Sequence, residues 1–148
     1  MDTISIKKVL ISYVITSLVI FFVSAAVSIS GILGNSISSV WGHLSIELIA
    51  IIQFTIVSVS NLVLHMVFYY GGFASSPLVR GLGIGAFMGL AYFLIGVLAL
   101  DLYDVNTDTL QQLIGAMSGR IIEYSAGGIA MAVISVSDIH RWGLLRAF

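Results

Sequence analysis

The stretch VLISYVITSLVIFFVSAAVSISGI, residues 9–32, decides the fold. It carries no charge and is dominated by Val, Ile, Leu, Phe, Ala and Ser. A helix rising about 1.5 Å per residue needs about 20 such residues to cross about 30 Å of hydrocarbon. Lys7 and Lys8 precede the run, and Ser24-Ala25-Ala26 are small, so a cleavable signal peptide is the rival reading. The apolar region of such a peptide spans only about 7–15 residues. The longer run predicts an uncleaved anchor.

The whole chain agrees with that stretch. Of 148 residues, 59% are hydrophobic and 9% charged, against about 45–50% and about 25% in soluble domains. Six Lys+Arg and seven Asp+Glu are too few to coat a water-exposed surface. A net charge of −1 excludes a strongly basic nucleic-acid binder. With no cysteine, disulfides, thiolate catalysis, Fe–S clusters and Cys-ligated zinc are excluded.

Three further apolar segments follow. The loop 31–45 is rich in Gly, Asn and Ser and carries Trp41 and His43. A second span is expected over 46–70, closing on the aromatic run Phe68-Tyr69-Tyr70, of the kind that gathers at membrane interfaces. Residues 71–80, with Pro77 and Arg80, read as a loop. A third span is expected over 81–100. An acidic loop with Asp101, Asp104 and Asp108 comes next. Asp108 before Gln111, and Thr109 before Gln112, resemble capping boxes, in which a side-chain oxygen accepts from orphan backbone N–H groups. The fourth span is expected over 113–137. The tail 138–148, with Arg141, Trp142, Arg146 and Phe148, reads as interfacial. The expected fold is therefore all-α, a polytopic integral membrane protein with four transmembrane helices in one bundle.

Lys7, Lys8, Arg80, Arg141 and Arg146 all fall on one side of that arrangement, and the opposite loops hold no Lys or Arg. The positive-inside rule then predicts N-in/C-in, with both termini cytoplasmic.

Gly81-x-x-x-Gly85-x-x-x-Gly89 places three glycines on one helix face, where a second backbone can approach closely. Gly115, Gly119, Gly127 and Gly128 offer a matching face on the last span. The seam serves either a hairpin between spans three and four or a homo-oligomer. The short connection favours the hairpin. Gly81-Leu-Gly83-Ile-Gly85-Ala86, with Asp101 beyond it, also matches a dinucleotide fingerprint. That motif requires a strand before it and a βαβ unit around it, so the match is assigned to chance.

Arg120 and Glu123 are the candidate intramembrane site. They lie three apart on one helix face, and each is costly in hydrocarbon unless paired. Glu47, Ser58, Asn61 and His65 share a narrow arc of the second span, flanked by Gln53 and Ser60. Asn61 is expected to reach Glu123 or Arg120, with His65 as a relay. The competing reading makes Arg120–Glu123 a structural ion pair, and Asn61, Gln53 and the serines interhelical glue. Tyr13, Ser17, Ser24 and Ser28 recur along span one as a packing seam. His43, His65 and His140 fall at different depths, with no third ligand spaced beside any pair. No metal or other cofactor is expected.

Gly85-Ala-Phe-Met-Gly89-Leu-Ala-Tyr92, Leu102-Tyr-Asp104-Val-Asn-Thr-Asp-Thr-Leu110 and Glu123-Tyr-Ser-Ala-Gly127-Gly128 resemble small, uncharacterised four-helix proteins of the bacterial inner membrane. The likeness covers the second half of the chain. It implies that membrane and that fold, and brings no activity with it.

Three functions remain open at this point. The first is a small membrane protein acting through helix–helix contacts, as a subunit of a complex or a homo-oligomer. The second is a proton-coupled carrier or channel using Arg120, Glu123, Asn61 and His65. The third is a lipid-modifying enzyme at the outer rim, using Asp101, Asp104 or His43. Loops this short build no catalytic domain, so enzymatic activity is the less expected outcome. The partners foreseen are the lipid bilayer and other membrane helices, and no nucleic acid.

Overall fold

The computed structural model describes residues 6–29, 45–71, 76–98 and 110–136. Those residues form four helices: α1 (Ile6–Ile29), α2 (Ile46–Tyr70), α3 (Pro77–Leu98) and α4 (Leu110–Val136). Trp41, His43, Asp101, Asp104, Asp108, Thr109, His140, Arg141, Trp142, Arg146 and Phe148 lie outside the described residues. So do the side chains of Ser28 and Gln53.

Local chemistry sets the helix ends. Ser45 is the N-cap of α2, and its hydroxyl accepts from the Leu48 N–H at 3.3 Å. This satisfies one of the orphan donors of a first turn. Glu47 in that turn complements the positive end of the helix dipole. At the other end, Gly71 donates its N–H to the Val67 carbonyl at 2.9 Å.

The start of α3 differs from the sequence expectation. Pro77, expected in a loop, is the first helical residue, and Arg80 lies inside the first turn. Proline at that position loses nothing, because its absent N–H would have had no helical partner. The Arg80 N–H bonds the Ser76 carbonyl at 2.9 Å.

Neighbouring helices run antiparallel. Lys8 Nζ, at the start of α1, donates to the Ser135 carbonyl at the end of α4 at 2.6 Å. A cation is thereby held at the negative end of the α4 dipole. Further along the same interface, Ile20 packs on Gly127. Helices α3 and α4 share the largest interface, followed by α1 with α4, so α4 is the central and most buried element. Three apolar layers stack along the bundle. Leu64, Phe68, Ile84, Met131 and Ala132 lie towards the Lys8 end; Ile20, Val57 and Tyr124 come next; Val27, Phe93 and Ala116 lie beyond.

The outer surface is unlike that of a water-soluble bundle. Leu10, Val14, Leu18 and Phe22 are exposed on α1, and each other helix also exposes large apolar residues. Ser12, Thr16, Ser17, Ser24, Asn61, His65, Arg120 and Glu123 are buried. Soluble monomers rarely expose apolar surface this continuously. Ile6–Val27, Pro77–Val97 and Leu110–Val136 are each long and apolar enough to cross a membrane. On α2 the apolar run among the described residues is Phe54–Tyr70.

Candidate functional site

The α3–α4 interface positions the charged pair. A Cβ on Gly81 would fall on the Gly128 carbonyl oxygen and 2.9 Å from the Ala132 Cβ. On Gly85 it would meet the Tyr124 carbonyl, and on Gly89 the Arg120 carbonyl, with backbone Cα atoms 2.8 and 2.7 Å away. Backbone therefore lies against backbone over two turns of α3. Gly127 faces α1 instead, where a Cβ would lie 2.7 Å from the Ile20 Cδ1. Gly119 is buried and Gly115 half-buried.

At mid-length on α4, Arg120 Nη1 donates to Glu123 Oε2 at 2.7 Å. Both side chains are buried, Glu123 to 1% exposure. The guanidinium lies over the Tyr92 ring of α3, 5.1 Å from its centroid. Tyr92 in turn packs on Tyr124, with centroids 5.6 Å apart. From α1, Ser24 faces the Glu123 carboxylate. Glu123 Oε1 accepts no hydrogen bond from the described residues. A buried guanidinium and a buried carboxylate each carry a large desolvation cost, which this geometry offsets in part.

A second polar group joins α1 to α2. His65 Nδ1 bonds the Asn61 carbonyl at 3.0 Å, and a carbonyl only accepts, so Nδ1 carries its proton. The other ring nitrogen, Nε2, lies 3.0 Å from the Ser12 hydroxyl. Asn61 Nδ2 donates to the Tyr13 carbonyl at 2.9 Å and to Ser17 Oγ at 2.7 Å. Tyr13 returns a bond to the Ser58 carbonyl at 2.9 Å. Asn61 Oδ1 and Thr16 Oγ1 are buried without a hydrogen-bond partner among the described residues.

The four residues singled out by sequence thus form two groups. Arg120 meets Glu123, and Asn61 meets His65. The layer of Ile20, Val57 and Tyr124 stands between them. Tyr124 links the groups indirectly, since its ring joins Tyr92 and its hydroxyl reaches Ser60 of α2. The serine seam on α1 also differs from expectation. Its fully buried line is Ser12, Thr16, Ile20 and Ser24, four residues apart, while Tyr13 and Ser17 serve α2. Ser12 and Thr16 lie twelve and eight residues before Ser24, on the same row of four-residue steps. Among the described residues no cluster of His, Asp or Glu could hold a metal ion.

Comparison with known proteins returns no matching family, curated relative or solved structure. The functional reading therefore rests on this geometry.

Proposed function

We propose that the chain is a four-span protein of the bacterial inner membrane, with both termini cytoplasmic, that couples proton movement to a small solute. One observation carries the reading. Under a largely apolar exterior, the interior holds a carboxylate–guanidinium pair and four buried oxygens with no hydrogen bond among the described residues: Thr16 Oγ1, Asn61 Oδ1, Tyr69 Oη and Glu123 Oε1. Ionisable groups within membrane helices are costly and mark ion or substrate paths by default. Buried polar atoms without protein partners are sites for water or for the polar atoms of a solute.

The pair suggests a form of coupling. When Glu123 takes up a proton, the guanidinium loses its counter-charge while staying protonated itself. It then favours another anion, so a proton and a small anion would load together. His65, at the end of the bundle that carries Lys7, Lys8 and Arg80, supplies a proton donor and acceptor on the proposed cytoplasmic side.

The contact-subunit reading has less support. Gly81, Gly85 and Gly89, which could have served an oligomer, are taken up inside the chain by α4. The outer-rim enzyme reading falls on Asp101, Asp104 and His43, outside the described residues.

The test is proton flux into liposomes containing the purified protein and an internal pH dye. Wild type should acidify the lumen under an inward pH gradient with a small anion, chloride, supplied outside, and Glu123→Gln should not. The double variant Arg120→Gln/Glu123→Gln, which buries neither charge, should also fail while keeping its fold. Flux equal to wild type in both variants would contradict the proposal.

A further inference from the structure

We infer that a lateral groove between α1 and α2 holds an acyl chain of an anionic membrane lipid, with the headgroup at Lys7. The inference rests on the bilayer placement proposed above, and not on proton movement. The groove encloses about 500 Å³, within the size range of small-molecule sites. Ile6 and Leu10 of α1 form one rim, and Leu62 and Met66 of α2 the other. All four are exposed, so the groove opens onto the apolar outer face of the bundle.

His65 and Tyr69 also line it. His65 is buried, and both its ring nitrogens are engaged, by Ser12 and by the Asn61 carbonyl. The imidazole therefore presents ring carbon to the groove, which suits a hydrocarbon chain rather than a polar solute. The charge at the mouth selects the headgroup. The described charges at this end are Lys7, Lys8 and Arg80, all basic. Lys8 is committed to the end of α4, and Arg80 lies over Phe68, 5.7 Å from the ring centroid. Lys7 is exposed in the same first turn as Ile6. A lysine at headgroup depth attracts phosphate, and Tyr70 at the end of α2 suits the same depth.

The experiment uses the full chain in vesicles of phosphatidylglycerol and phosphatidylcholine with identical chains. Flotation comes first, and intact-particle mass spectrometry then identifies the lipid retained after gentle extraction. Wild type should keep phosphatidylglycerol in preference. Lys7→Gln should weaken that preference roughly five-fold, as expected for one lysine near the surface. Leu10→Trp combined with Leu62→Trp, which fills the groove, should abolish retention, and Leu90→Trp on α3 should not. A chain that does not float defeats the bilayer placement itself. A chain that floats but retains both lipids equally, or is unaffected by filling the groove, overturns the groove alone. A dimer lost on filling would assign the groove to a second copy, and would overturn the lipid as well.

Discussion

The two hairpins of this bundle are held by opposite means. Between α3 and α4, glycines let backbone touch backbone. Between α1 and α2, contact runs through side-chain hydrogen bonds: Ser12 to His65, Asn61 to Ser17 and to the Tyr13 carbonyl, and Tyr13 to the Ser58 carbonyl. In the proposed bilayer placement, lipid would supply no hydrophobic drive between helices, which would leave close packing and polar bonding as the two routes. They differ in tolerance. Close packing fails at the first added carbon, whereas a hydrogen-bonded interface loses one bond at a time.

The largest effect is therefore expected at the glycines. Gly85→Leu and Gly89→Leu should remove most of the monodisperse species recovered in detergent, because the side chain would have to occupy the space of the α4 backbone. Leu94→Ala, on the exposed face of α3, should leave recovery near wild type. Equal recovery for both kinds of variant would erase the contrast between the hairpins.

The charged pair comes next. Breaking a buried pair by removing one partner costs about 3–5 kcal/mol. The two losses should be unequal. A carboxyl left alone can be neutralised by a proton, whereas a guanidinium cannot readily lose one. Glu123→Gln should lower the melting temperature more than Arg120→Gln. The double variant should recover part of that loss without recovering proton flux. Small, strictly additive shifts would deny that the two residues act as a pair.

Smaller effects are expected in the polar hairpin. Asn61→Ala removes two bonds to α1 and should cost about 1–2 kcal/mol, read as a drop in melting temperature. Ser12→Ala removes one partner of His65 and should cost about 0.6 kcal/mol, the average for such bonds in membranes. A loss at Ser12 as large as that at Gly85 would show that the two interfaces are not built differently.

These differences also explain what the sequence disclosed. The glycine face was legible because i, i+4 spacing and the missing side chain are both written in the chain. The Arg120–Glu123 pair was legible for the same reason, since three residues on a helix fix the neighbour. The sequence places the start of α3 too late because Pro77 reads as a breaker, although Ser76-Pro77 is also a helix opening. The split of the polar residues into two groups was not legible. Which faces of α1 and α2 meet is fixed by three-dimensional packing, and Ile20, Val57 and Tyr124 look like any other apolar residues in the chain. Helix α1 hid its buried line for a related reason. It is apolar nearly all round, so its pattern does not distinguish the face of Ser12, Thr16 and Ser24 from the exposed apolar remainder.

The central claim is that all four helices turn apolar faces to lipid around an interior that holds two buried polar groups, and α2 tests it hardest. The chain has no cysteine, so single spin labels can be placed at Leu18, Val59, Leu90 and Ile122, one exposed position near the middle of each helix. In vesicles, collision with oxygen should exceed collision with a water-soluble nickel complex at all four positions. Preferential collision with nickel at any of them, above all at Val59, would place that helix outside the hydrocarbon and contradict the account.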